Sequence, residues 1–207
     1  MKKSIMLGVL GLVTVAAPSF GAGYILLDNY DSSSGDGPPI TYGPGIPANG
    51  VSGALGTLGT GLLGGWTVGL YYALGTLSIN DPAGMGMPDS HLTMATGLGS
   101  TALMYTSAFN TPGEFYSPIA LNVGGNAGGM ITAEVVAYDT AGGSYAAAIW
   151  RGHSAPFTMP TVAIINPSFP LVGDYMQGFM IGMPEPTTLA LGGLGGLSLL
   201  LMRRKKA

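Results

Sequence analysis

The chain has 207 residues with 36 Gly, 15 Pro and no Cys, and 47% of its residues are hydrophobic against 8% charged. This balance is the reverse of that of a disordered chain, so the composition predicts a buried apolar core. The lack of Cys excludes a disulfide-stapled domain, and the formal net charge of −3 excludes a basic nucleic-acid-binding protein.

Charge is segregated along the chain. Six of the seven basic residues lie within the first three or the last five positions. Between residues 24 and 183, Arg151 is the single cation among nine acids, so this stretch carries a net charge of −8. An acidic middle between two basic ends repels nucleic acid and attracts divalent cations.

The N-terminus has the three parts of a secretory signal. Lys2 and Lys3 precede an apolar run over residues 5–17, which is followed by Pro18 and several small residues. This order predicts a signal peptide over residues 1–21, with cleavage after Gly21 or after Ser19. A buried N-terminal helix is the alternative, but it does not account for the double Lys or the small residues.

The C-terminus combines a short motif, an apolar run and a basic tail. As a helix, the apolar residues 189–202 would span about 21 Å, less than the roughly 30 Å hydrocarbon core of a bilayer. Adding Thr187 and Thr188 predicts a marginal membrane helix over residues 187–202. The cations just beyond this helix stop translocation and stay in the cytoplasm. Residues 22–183 are therefore predicted to lie on the opposite, outer side of the membrane. The motif is Pro184-Glu185-Pro186, and the stop-transfer tail is Arg203-Arg204-Lys205-Lys206.

This order of motif, apolar helix and basic tail over residues 184–207 resembles the PEP-CTERM sorting domain of exported bacterial proteins. The resemblance implies that an exosortase, a membrane enzyme, recognises the Pro-Glu-Pro region and removes the tail. It also implies a precursor held transiently in the inner membrane and a product at the cell surface or in the extracellular biofilm matrix. A plain single-span anchor is the alternative.

Residues 22–183 are predicted to form a β-rich ectodomain. Residues 31–50 are predicted to be a long loop, and residues 144–150 one or two helical turns. Many short strands without a long amphipathic helix predict an all-β antiparallel sandwich or jelly-roll-like fold, flanked by the signal helix and the transmembrane helix. The predicted strands are residues 24–30, 66–79, 92–96, 102–109, 117–123, 130–139, 157–165 and 177–181.

Three acids near the start of this region are candidate Ca²⁺ ligands. Asp28, Asp31 and Asp36 lie in a segment rich in Gly and Ser and offer hard oxygen donors. Their spacing does not match the EF-hand loop. The alternative is a network of turns in which these side chains accept hydrogen bonds from their own backbone.

Aromatic residues suggest a second type of site. Trp66 and Trp150 are candidates for stacking on sugar rings, which would make the ectodomain a carbohydrate-binding module for the organism's own exopolysaccharide. The alternative is that these rings lie in the core. Arg151, the single cation of the ectodomain, is predicted to pair with Asp139 or Glu134.

No complete catalytic constellation is present, and no catalytic residue or cofactor is expected. A secreted hydrolase would need His91 or His153 with Ser154, but neighbours on a strand point to opposite faces. Glu114, Glu134 and Asp139 are candidate glycosidase carboxylates, with solvated acids on the outer face of a sheet as the alternative. The expectation is a structural or interaction role, with a carbohydrate-binding module and a secreted hydrolase as the alternatives.

Overall fold

The computed structural model describes residues 21–33, 35–104, 112–125, 128–163 and 168–184. Within these ranges the protein is all-β, with eleven strands and two 3-10 helices, Thr140–Gly142 and Val172–Asp174. None of the described helices is long and apolar enough to cross a membrane. The transmembrane helix predicted over residues 187–202, and all but the last residue of the predicted signal peptide, lie outside the described residues.

The strands are numbered in chain order. They are β1 (Gly23–Ile25), β2 (Ile40–Tyr42), β3 (Trp66–Leu74), β4 (Thr93–Met94), β5 (Thr101–Met104), β6 (Phe115–Tyr116), β7 (Leu121–Val123), β8 (Met130–Asp139), β9 (Arg151–His153), β10 (Phe157–Pro160) and β11 (Phe179–Ile181).

A seven-stranded sheet is built on the two longest strands. β3 and β8 pair antiparallel over nine residues, from Trp66 opposite Asp139 to Leu74 opposite Ile131. β4 and β5 pair with the other edge of β3, β9 and β10 with the other edge of β8, and β6 extends β5. Both central strands are therefore hydrogen-bonded on both sides.

Two small sheets accompany the central one. β1 pairs antiparallel with β7, whereas β2 and β11 pair in parallel. The parallel pair departs from the predicted antiparallel arrangement. Parallel strands cannot be joined by a tight turn, and β2 and β11 do not need one because more than a hundred residues separate them.

The main core lies on one face of the central sheet. Alternate residues of β8, among them Val135 and Ala137, face it together with Val68 and Leu70 of β3. Side chains of β1, β2, β7 and β11 complete the same cluster, so one core joins all three sheets. Alternation of side chains along a strand brings these residues to one face.

The opposite face of the sheet, which we call the second face, is covered as well. Val136 and Tyr138 of β8 pack there against Tyr145 and Ala148 from the segment between β8 and β9. Residues 75–92, which connect β3 to β4 and which we call the covering loop, bond to the same face near Thr132. As a result every residue of β8 from 131 to 139 is buried.

The prediction of a strand over residues 130–139 is confirmed by β8, but other local predictions are wrong. The predicted loop over residues 31–50 contains β2. Residues 144–150 form turns and bends, not a helix. A 3-10 helix lies just before them, where the Asp139 carboxylate accepts from the Gly142 amide at 2.7 Å and Gly143 turns left-handed at φ 70°. A left-handed residue ends a helix, so the alanine run does not continue it.

Asn29 links the N-terminal segment to the rest of the fold. Its amide is fully buried, donates to the carbonyls of Pro38 and Gly113, and accepts from the Phe115 amide at 2.7 Å. A side chain at Gly37 would clash with the Asn29 backbone, so glycine is required at this close approach.

Replacing Asn29 by Ala should destabilise the protein by about 3 kcal/mol, because it removes three hydrogen bonds to backbone groups, two of them buried and one partly buried. Urea unfolding of the full chain measures this change. Asn122→Ala, at an exposed position of β7, is the control and should change stability by less than about 0.5 kcal/mol. Equal effects of the two substitutions would contradict the linking role of Asn29.

Candidate functional site

The most unusual polar group of the described residues lies on the second face of the sheet. Glu134 occupies the middle of β8, opposite Tyr71 of β3, and its side chain is 0% exposed. Neither of its carboxylate oxygens makes a hydrogen bond. Glu134 is therefore not one of the solvated acids that were the alternative prediction, because the covering loop and the neighbouring strands exclude water from this face.

Two further ionisable residues meet Glu134. His153 on β9 lies 3.4 Å from it, measured from the histidine Nδ1 to Oε2. Asp81 of the covering loop completes a group in which one ligand atom from each residue lies within 4.8 Å of the other two. Asp81 is half-buried, and the other two residues are buried.

Strand pairing positions His153. β9 pairs with β8 so that His153 is opposite Val136, two residues from Glu134 and on the same face. The Nδ1 atom is also 3.0 Å from the Ser154 carbonyl oxygen. Burial by itself lowers the pKa of His153, but the Glu134 carboxylate and the Ser154 carbonyl oppose it, and the pKa is raised above its ordinary value.

Backbone hydrogen bonds place Asp81 beside the histidine. Gly84 exchanges two of them with His153, at 3.1 and 2.7 Å, which ties the covering loop to β9. The Gly86 carbonyl accepts from the Tyr145 hydroxyl at 2.8 Å. The loop is therefore attached close to Asp81.

Arg151 takes part in the same attachment. Its guanidinium donates to the carbonyl oxygens of Met85, Tyr145 and Ala146 and lies 5.3 Å from the centre of the Tyr145 ring. The predicted ion pair of Arg151 with Asp139 or Glu134 is wrong, because within the described parts of the chain both ion pairs involve histidine.

Asp139 has a structural role. One of its oxygens accepts from the Gly142 amide, and the other accepts from the Trp150 amide at 3.0 Å. Asp139 is buried and lies five residues from Glu134 on the same strand. An odd spacing places the two acids on opposite faces of the sheet, so they do not form a glycosidase pair.

The predicted hydrolase group is not assembled either. The Ser154 hydroxyl oxygen accepts from the Val135 amide at 3.0 Å, and His153 faces the Ser154 carbonyl rather than its hydroxyl. His91 is exposed and contacts Asp89 at 2.6 Å. Hydrogen bonds from the backbone and ring of His91 hold the pKa of Asp89 below its usual range.

The candidate Ca²⁺ ligands form turns. The Asp28 carboxylate accepts from the Tyr30 amide, and the Asp31 carboxylate accepts from the amide and hydroxyl of Ser33. Among the described residues, Asp81, Glu134 and His153 are the three that lie close enough together to hold a metal ion. Asp28, Asp31 and Asp36 do not form such a group. Burial, and the nearby Glu114 and Asp174, raise the pKa of Asp28.

The two predicted stacking residues differ in exposure. Trp66 is 1% exposed and packs edge-to-face on Tyr42, which corrects its assignment as a ligand-stacking residue. Trp150 is half-buried and lines a surface hollow of about 180 Å³ with Asp139 and Ile149.

A larger hollow was missed by the sequence analysis. It has a volume of about 610 Å³ and is lined by Tyr24, Tyr72, Leu98 and Asn122, among others. This volume is in the range of small-molecule sites, roughly 300–1,000 Å³. Its residues come from four separate segments, so no local pattern could have grouped them.

Comparison of the chain with protein-family models, with curated proteins and with solved structures finds no match in any of the three.

The buried tyrosine of the second face makes stability fall at high pH. Burial raises the pKa of Tyr145 far above its ordinary value of 10.0, against the opposing effect of Arg151. Below about pH 10 the Tyr145 hydroxyl is protonated in both the folded and the unfolded chain. Above pH 10 it loses its proton in the unfolded chain but keeps it in the folded protein, which favours unfolding. The contribution of Tyr145 to stability should therefore fall by up to about 1.4 kcal/mol per pH unit above pH 10. Tyr71 and Tyr138, whose pKa values burial also raises, act in the same direction.

Urea unfolding between pH 8 and 11 measures this slope. Tyr145→Phe should reduce the slope, whereas Tyr30→Phe, at a ring that is 46% exposed, should leave it as in the wild type. A slope that is the same in all three proteins would contradict the assignment.

Proposed function

We propose that the chain is an exported bacterial protein of the cell surface or extracellular matrix, sorted through a C-terminal PEP-CTERM signal, with a structural or interaction role. The observation that carries this proposal is the C-terminal order of Pro184-Glu185-Pro186, an apolar run and four consecutive cations. The basic and apolar N-terminus supports it, because both ends then keep their cations on the cytoplasmic side.

We further propose that the ectodomain is a sandwich or jelly-roll-like module. One hydrophobic core receives side chains from the central sheet and from both two-stranded sheets, as expected when sheets pack face to face. Such a module needs no disulfides to persist outside the cell if its core is large enough, and this chain has no cysteine.

The hydrogen bonds of the candidate catalytic residues favour a structural or interaction role over hydrolysis. Asp139 is engaged with backbone amides, and so is the Ser154 hydroxyl. A nucleophile or general base needs its oxygen available to the substrate.

Sorting is tested by intact-mass analysis of the protein from its native cells, separated into inner membrane, surface and medium. The surface or medium form should end near residues 184–188 and lack the tail Arg203-Arg204-Lys205-Lys206. Replacing Pro184, Glu185 and Pro186 together by Ala should leave a full-length inner-membrane protein.

Pro44→Ala, at an exposed proline outside the motif, is the matched control and should be processed normally. A wild-type protein found only at full length in the inner membrane would show that residues 184–207 are an ordinary anchor.

Carbohydrate binding is the second candidate function, and the 610 Å³ hollow favours it. The rings of Tyr24 and Tyr72 are half-buried at its wall, with the amide of Asn122 nearby. Aromatic faces beside a few polar groups are the composition of sugar sites.

A glycan array with the full chain in detergent, including the organism's own polysaccharide, tests this candidate. Tyr24→Ala should reduce binding at least tenfold because it removes one wall of the hollow. Tyr30→Ala, at an exposed ring outside the hollow, should bind as the wild type does. An array without binding would exclude the carbohydrate function.

A further inference from the structure

We propose that Asp81, Glu134 and His153 bind one divalent cation, of which zinc fits the donor set best. The three residues come from the covering loop, β8 and β9, and one ligand atom of each lies within 4.8 Å of the others. Two ligands of a tetrahedral zinc are about 3.4 Å apart. The three ligand atoms would therefore have to approach one another by up to about 1.4 Å to bind one ion. The proposal does not depend on export or sorting.

The Glu134 carboxylate, which makes no hydrogen bond and has only the 3.4 Å contact with His153 as an ion pair, is the observation that points to a cation. It is completely buried, and both of its oxygens lack hydrogen bonds. Buried carboxylates in folded proteins are paired, hydrogen-bonded or bound to metal, because desolvation of the charge must be compensated. An ion that contacts one or both oxygens supplies that compensation.

His153 does not satisfy Glu134 by itself. Its Nδ1 atom lies nearer to the Ser154 carbonyl, at 3.0 Å, than to the Glu134 Oε2 atom, at 3.4 Å. Charge-assisted hydrogen bonds of this kind are about 2.7–2.9 Å long. One ring N–H also cannot serve both oxygens of the carboxylate.

The donor chemistry selects the class of metal. One imidazole nitrogen and two carboxylate oxygens are ligands that zinc accepts, whereas Ca²⁺ takes six to eight oxygens. Two carboxylates and one divalent ion sum to zero charge, which suits a largely buried site. Arg151 is engaged by backbone carbonyls nearby, so it does not supply this neutralisation.

The ion would clamp the covering loop to the sheet. Asp81 belongs to the loop, whereas Glu134 and His153 belong to adjacent strands. A metal that bridges them would fix the loop as a disulfide does in other proteins, and this chain has no cysteine for that purpose.

The test uses the full chain in detergent, stripped with a chelator and titrated separately with ZnCl₂ and CaCl₂. Calorimetry and elemental analysis after dialysis should give one tightly bound zinc per chain. At a hundredfold excess over Kd, zinc should raise the unfolding temperature by roughly 5–10 °C. Glu134→Gln and Asp81→Asn should each weaken zinc binding at least tenfold and lose most of that shift.

His91→Ala is the matched control, because His91 and Asp89 form an exposed pair that can hold zinc adventitiously. Its zinc affinity should equal that of the wild type. Asp81 is only half-buried and lies on a loop, so Asp81→Asn tests the site even if Glu134→Gln does not fold. The absence of zinc binding, unchanged binding in Asp81→Asn, or loss of binding only in His91→Ala would overturn the proposal.

Discussion

The nine-residue antiparallel pairing of β3 with β8 is the constraint on which the rest of the described structure depends. Both strands have partners on their outer edges, and β8 is buried from residue 131 to residue 139. A sheet that is buried on both faces needs two separate covers. The main core supplies one of them, and the covering loop and the segment after β8 supply the other.

The second cover is attached by polar groups as well as by the apolar packing of Tyr145 and Ala148. Thr132 bonds to both ends of a turn in the covering loop, at Gly75 and Leu77, and Arg151 bonds to carbonyls of the loop and of the segment after β8. The Thr132 hydroxyl and the Arg151 guanidinium thus have hydrogen-bond partners in the backbone of the segments that they attach to the sheet. Glu134 differs from them, because neither of its carboxylate oxygens accepts a hydrogen bond.

The parts of the fold that could be predicted are those that depend on the residues of one short segment. Residues 130–139 are rich in β-branched and apolar side chains, and they form β8 with the predicted bounds. β9 was missed because Arg-Gly-His has little strand propensity, and its pairing comes from distant segments, β8 on one side and Gly84 and Gly182 on the other. The alanine run at residues 146–148 favours a helix locally, but Asp139 and Gly143 close a short 3-10 helix before it.

The linear order of charges, prolines and apolar residues by itself determined the sorting hypothesis and the all-β class, because signals for the membrane and strand periodicity are local properties of a chain. Tertiary structure alone decided that Glu134 is buried, that Trp66 belongs to the core, and that Asp81 and His153 meet across 72 residues of sequence. The physical reason is that burial and proximity depend on strand register and on the segments that cover the sheet, and neither is encoded in adjacent residues.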